Sequence, residues 1–142
     1  ETDGDGSASH TIEMPNDLRD EVHQSLLSKA EDWSGIRLLP TYVYGVRIYN
    51  RGAILKPHRD REETHIIGVI INIDQKVDSP WALEIEDHQK NNHEIFLSPG
   101  DVIFYESATL DHGRPDPFEG EKFVNVFCHY MPYLKEENNN EV

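Results

Sequence analysis

The chain has 142 residues and a single cysteine, Cys128, which fits one domain and leaves no intrachain disulfide and no cysteine-built zinc site. Its formal charge is −14, from 13 basic against 27 acidic residues, which argues against a nucleic-acid backbone as partner. No apolar run approaches the roughly 18 residues of a membrane span, so the expectation is a soluble protein, with its lone cysteine leaning towards the cytoplasm.

In chain order, residues 1–10 (ETDGDGSASH) are small and polar and read as a disordered lead-in. The start at Glu1, with no apolar leader, reads as a mature fragment. Asn16 or Asp17 then caps a predicted helix running to about Ala30, with Leu18, Val22, Leu26 and Leu27 in one apolar stripe. Beyond it the period changes to two. Tyr42, Tyr44, Val46 and Ile48 alternate with Val43, Gly45, Arg47 and Tyr49, as in a strand. Ile66 to Ile73 is nearly all apolar and suits a strand buried on both faces. Trp81, Leu83 and Ile85 alternate again, and further strands are predicted at Glu94–Leu97, Val102–Tyr105 and Phe123–Tyr130. Turns fall at Pro99-Gly100-Asp101 and over residues 114–120. The tail, KEENNNEV from Lys135, reads as disordered. A helix followed by many short strands predicts a mainly β domain, residues 11–134, in which a jelly roll (a double-stranded β-helix) over about 41–132 carries the N-terminal helix.

The chemistry centres on His58-Arg59-Asp60. In an extended segment, positions i and i+2 point to one face, so His58 and Asp60 converge on a single ion. His112, after the strand Val102–Tyr105, is the third ligand. Two imidazoles and one carboxylate make a facial triad that leaves open positions on iron(II) for oxygen chemistry. His58-Arg59-Asp60 also spells the start of a kinase catalytic loop, but no Gly-rich loop or DFG accompanies it.

From about Tyr44 to Tyr130 the sequence resembles the 2-oxoglutarate/iron(II) dioxygenases, in particular the prolyl 4-hydroxylase-like group. An HxD pair (His58, Asp60) precedes a distal His112, and Lys122 follows ten residues later within Gly120-Glu121-Lys122-Phe123. Tyr49 stands nine residues before His58, and Ser98-Pro99-Gly100-Asp101 leads into the strand before the distal histidine. The resemblance implies a hydroxylase using Fe(II), 2-oxoglutarate and O2, with ascorbate keeping the iron reduced. It implies metal ligation by His58, Asp60 and His112, and binding of the far co-substrate carboxylate by Lys122, helped by the Tyr49 hydroxyl. That carboxylate, buried in an apolar barrel, requires a cation. A peptide or protein substrate follows, with a prolyl residue first in line, and the acidic surface suggests a neutral or basic peptide.

The sequence departs from the family at Leu55, at Pro80-Trp81-Ala82-Leu83, at Phe123 and at Phe127-Cys128-His129-Tyr130. These positions fall on the substrate side. Arg47, Arg114 and Trp81 are the candidate substrate contacts, each weighed against a purely structural role. Three other readings stay open: a cupin-like metal enzyme that does not use 2-oxoglutarate, a hydroxylase of a free amino acid or other small molecule, and a non-catalytic jelly-roll binding module. His10, His23, His88 and His93 read as solvated, and His65 and His129 as structural histidines at strand borders.

Overall fold

The computed structural model describes residues 8–134. Two short helices come first, α1 (Asn16–Ser25) and α2 (Leu27–Ser34), flanked by nine strands. The strands are β1 (Ser9–Thr11), β2 (Leu38–Tyr49), β3 (Leu55–His58), β4 (Ile67–Val77), β5 (Leu83–Glu86), β6 (Asn92–Ile95), β7 (Val102–Tyr105), β8 (His112–Arg114) and β9 (Gly120–Pro132). They form a five-stranded sheet in the order β1-β2-β9-β4-β7 and a four-stranded sheet in the order β3-β8-β5-β6. Every pairing is antiparallel, and the two sheets make the jelly roll the strand pattern predicts.

Strand parity sorts the side chains into two clusters. On β9, Phe123 and Phe127 join Tyr49, Ile70, Trp81, Leu83, Tyr105 and Phe118 in one core. The alternate residues Val126, Cys128 and Tyr130 join Val43, Ile67 and Val69 in a second, beneath the helices. Val22, Leu26 and Leu27 of the expected stripe pack there, whereas Leu18 is exposed. One helix was expected to about residue 30; instead the helical stretch breaks at Leu26, and α2 ends on Gly35, whose φ of 79° is the left-handed conformation that glycine takes without a Cβ clash.

Two further expectations are corrected. The lead-in expected to be disordered over residues 1–10 contributes a strand, because Ser9, His10 and Thr11 pair with Tyr49, Ile48 and Arg47. Residues 1–7 and the tail from Lys135 lie outside the described residues. The HGR segment, read as part of a turn-rich stretch, is strand β8. No helix among the described residues is long and apolar enough to cross a membrane.

Candidate active site

Antiparallel pairing of β3 with β8 closes the gap between the two candidate histidines, since His58 and His112 are direct cross-strand partners. Their rings lie 4.5 Å apart. Asp60 follows the end of β3, where its backbone N–H donates to Ser107 O at 2.8 Å. One ligand atom from each of His58, Asp60 and His112 falls within 4.8 Å of the others.

The backbone also sets which nitrogen each histidine presents. His58 Nδ1 donates to Lys56 O at 2.8 Å and His112 Nδ1 donates to Leu110 O at 3.0 Å. Both Nε2 atoms are thereby turned towards Asp60 Oδ1, at 3.2 and 3.6 Å. A metal-binding histidine needs this arrangement, with the outer nitrogen held by a carbonyl and the inner one free to ligate. Burial alone would raise the Asp60 carboxyl, but its close interactions with the His112 and His58 rings outweigh burial and hold the group well below the ordinary carboxylate range. The hydrogen bond to Asp60, opposed by burial, raises His58. A permanently ionised carboxylate with two oriented imidazoles fits a divalent metal, and the N2O donor set fits iron(II).

The three ligands line a cavity of about 320 Å³. His112 and Arg114 have the same parity on β8, so Arg114 enters the same cavity. Its guanidinium is buried, with a residue exposure of 2%. Nη1 donates to Trp81 O at 3.0 Å, while Nη2 is buried without a hydrogen-bond partner. The plane lies over the rings of Trp81 and Phe123, at 4.7 and 4.8 Å. Burial pushes its pKa down to about 10, with Tyr49 and Tyr105 opposing, so the group remains a cation at neutral pH. Among the described residues no carboxylate pairs with it. A desolvated cation with a spare donor is costly to hold, and a carboxylate ligand removes that cost.

Lys122, the expected anchor, is elsewhere. Its Nζ pairs with Asp74 Oδ2 at 2.9 Å, and both side chains are about half exposed, at 46% and 51%. The reason is parity: Phe123 faces the inner core, so its neighbour Lys122 faces away. The spacing of ten residues from His112 is present, but it ends on the wrong face of β9. Tyr49 is buried in the inner core, edge-on to Trp81 at 5.2 Å. Arg47 does not reach the cavity; it bonds Thr11 Oγ1 and Ser9 Oγ across the β1–β2 pair. Trp81 is a core residue whose Nε1 donates to Asp116 O at 2.7 Å. Arg114, expected as a substrate contact, does line the cavity, with its guanidinium buried.

Four further residues shape the cavity: Tyr44, His65, Tyr105 and His129. His129 Nδ1 is buried without a hydrogen bond, 3.8 Å from Asp60 Oδ2. Burial, reinforced by the neighbouring His65, pushes its pKa down to about 3, so the imidazole is neutral. The sequence held a signal for it, since His129 shares parity with Phe123 and Phe127 on a predicted strand. His23, expected to be solvated, is buried; its Nε2 donates to His129 O at 2.9 Å, and burial lowers its pKa. His88 and His93 are exposed and pair with Glu106 and Asp87.

Comparison with solved structures places this architecture. An oxidoreductase of the 2OG-Fe(II) oxygenase family from Burkholderia pseudomallei superposes with a TM-score of 0.67 at 12% identity, covering 86% of this chain and 61% of that one. The chain has the fold of the 2-oxoglutarate/iron(II) oxygenases. AviO1 from Streptomyces viridochromogenes Tue57 is similar, with a TM-score of 0.61 and 19% identity over 79% of this chain and 59% of that one. So is a prolyl-4-hydroxylase from Pseudomonas putida, with a TM-score of 0.60 and 12% identity over 89% and 72%. The chain spans about three fifths of the length of the first two. No protein-family model and no curated protein matches the sequence. In this oxygenase fold the facial triad sits between the two sheets, and the buried cation shares its cavity.

Proposed function

We propose that the protein is an Fe(II)- and 2-oxoglutarate-dependent oxygenase that hydroxylates a substrate carbon. The observation that carries this reading is Arg114, a buried cation with an unpartnered donor, in the same cavity as three convergent metal ligands. A metal enzyme that did not use 2-oxoglutarate would have no need of that charge.

His58, Asp60 and His112 would hold the metal, and Arg114 the distal carboxylate of 2-oxoglutarate. When bound, metal and co-substrate supply the chemistry that puts one oxygen of O2 into a substrate C–H bond while 2-oxoglutarate leaves as succinate and CO2. The chain's own part is orientation and exclusion of water. Lys56 O and Leu110 O fix the imidazoles, and the rings of Trp81 and Phe123 keep Arg114 dry. His129 stands neutral beside the outer oxygen of Asp60.

A cavity of about 320 Å³ is at the small end for a ligand site, with room for the co-substrate and the reacting end of a second molecule. A substrate that inserts one residue, such as a prolyl side chain of a peptide, suits that size. The test is succinate formation with Fe(II), 2-oxoglutarate, O2 and ascorbate, with a prolyl peptide followed by mass. Succinate and a gain of one oxygen on the peptide are expected. No dependence of turnover on 2-oxoglutarate would overturn the oxygenase reading; an inert peptide alongside a hydroxylated free amino acid would move the substrate only.

A further inference from the structure

The lining of the cavity holds more arginine than acid, against the acidic balance of the chain. Against a formal charge of −14, the cavity is lined by three arginines, Arg59, Arg61 and Arg114, and by one acid, Asp60, which belongs to the metal. Arg114 serves the co-substrate, and Arg59 is held by Asp111 through Nε to Oδ1 at 2.9 Å. Arg61 lines the cavity directly after Asp60 and has no ion pair or side-chain hydrogen bond among the described residues. Glu62 and Glu63 follow it in sequence, but neither lines the cavity. Charges beyond the Debye length of about 8–10 Å are screened in physiological salt, so a group entering the cavity responds to Arg61 on its wall, with Glu62 and Glu63 next in sequence, more than to the distant acidic surface.

Beside Arg61 a ladder of rings runs from the metal ligands to the surface. His129 and His65 lie 4.1 Å apart, and His65 stacks on Tyr42 at 5.3 Å. Tyr42 and Tyr44 stack at 6.0 Å with planes 14° apart, so they turn their faces towards each other, and of the two Tyr44 lines the cavity. The Tyr44 hydroxyl is bonded to His65 Nε2 at 2.9 Å, which fixes the Tyr44 ring at the cavity wall. Tyr44 is 37% exposed, so part of its ring is open beside Arg61.

We propose that the primary substrate is an anion: a carboxylate or phosphate group flanking the residue that enters the cavity pairs with Arg61, beside the Tyr44 ring. This rests on the oxygenase reading and reverses the preference for neutral or basic peptides that net charge alone suggests. An exposed ion pair at such a rim is worth up to about fivefold in affinity, and a like charge there costs about as much.

The experiment uses the full chain loaded with Mn(II) and 2-oxoglutarate without oxygen. Binding is measured for prolyl peptides identical except for a flanking Glu, phosphoserine, Gln or Lys. The anionic peptides are expected to bind about tenfold tighter than the Lys peptide; the Glu and phosphoserine arms separate carboxylate from phosphate. Arg61→Glu should abolish or reverse that order, and Arg61→Lys should keep it. In turnover, Arg61→Glu should raise KM for the anionic peptide with a smaller effect on kcat. Preference for the Lys peptide, an order unchanged in Arg61→Glu, or no binding by any of the four overturns the anion site. Failure of 2-oxoglutarate to bind the Mn(II) protein sinks instead the reading on which it rests.

Discussion

Replacing Arg114 by Met keeps the length and much of the volume of the side chain and removes its charge. Two effects follow, with opposite signs. In the ligand-free protein the guanidinium is desolvated, donates through Nη1 to Trp81 O and leaves Nη2 unpartnered, so its loss relieves a buried polar penalty of about 1–3 kcal/mol. Trp81 O then loses its donor, which returns part of that gain. The metal-free variant should therefore be at least as stable as the wild type by thermal unfolding. With 2-oxoglutarate the balance inverts. The incoming carboxylate meets no cation, and breaking a buried charge pair costs about 3–5 kcal/mol. At about 1.4 kcal/mol per tenfold, the dissociation constant should rise by about two to three and a half orders of magnitude. Calorimetric titration of 2-oxoglutarate into the Mn(II) protein reads this directly. Mn(II) affinity should change little, because Arg114 contributes none of the three converging ligand atoms. Lys122→Ala is the matched control, since its ammonium is paired with Asp74 on the outer face. A Lys122→Ala that loses 2-oxoglutarate while Arg114→Met retains it would refute the assignment of the anchor.

His112→Ala removes one of three donors and should weaken Mn(II) binding by more than about 100-fold while the circular dichroism of the sheets persists; unchanged affinity would remove the metal site. Gly113→Ala tests the close approach of β8 to β3, where a Cβ would meet Leu55 O at 2.7 Å and Pro57 N at 2.8 Å. The strands must part, at a cost of about 1–3 kcal/mol, so the melting temperature should drop and metal binding weaken; a variant with normal metal affinity would show that this contact does not set the spacing of His58 and His112. Acidification should destabilise the metal-free protein. His129 is held at about 3 and His23 is also lowered by burial, so both are neutral in the native state and take up protons on unfolding below their ordinary value of 6.5. His129 alone then contributes a loss of roughly 2 kcal/mol by pH 5, in a window from 6.5 down to about 3. His58, raised by Asp60, acts in the opposite sense, its contribution being present below 6.5 and lost as pH rises. Thermal melts from pH 7 to 4.5 check the net slope, which His129→Asn should flatten.

Much of this was written in local pattern. Period-two alternation located β2 and β5, and short apolar runs located β4 and β7, because a strand's burial is written within its own residues. His58 and Asp60 were legible for the same reason, being two residues apart on one extended segment. What local pattern misses is a partner supplied from elsewhere. β1 and β8 are three residues each, too short to show a period, and exist because β2 and β3 offer them a ladder. His23 sits on a polar helix sequence, and only the docking of α1 against β9 buries it.

The anchor shows how spacing and geometry part company. A lysine ten residues past the distal histidine satisfies a linear pattern, but a strand has two faces, and one residue of offset decides which of them a side chain sees. On β9 the inner face is taken by Phe123, Phe127 and His129, so a cation at position 122 points to solvent and finds Asp74. On β8 the residue two beyond His112 shares its face, and that residue is Arg114. Its long side chain reaches between Trp81 and Phe123, the positions where the sequence departs from the expected pattern, and both departures are rings that a guanidinium can stack on. Residues 81, 114 and 123 thus form one local arrangement: the charge that would meet a co-substrate carboxylate reaches the cavity from the strand that also carries His112.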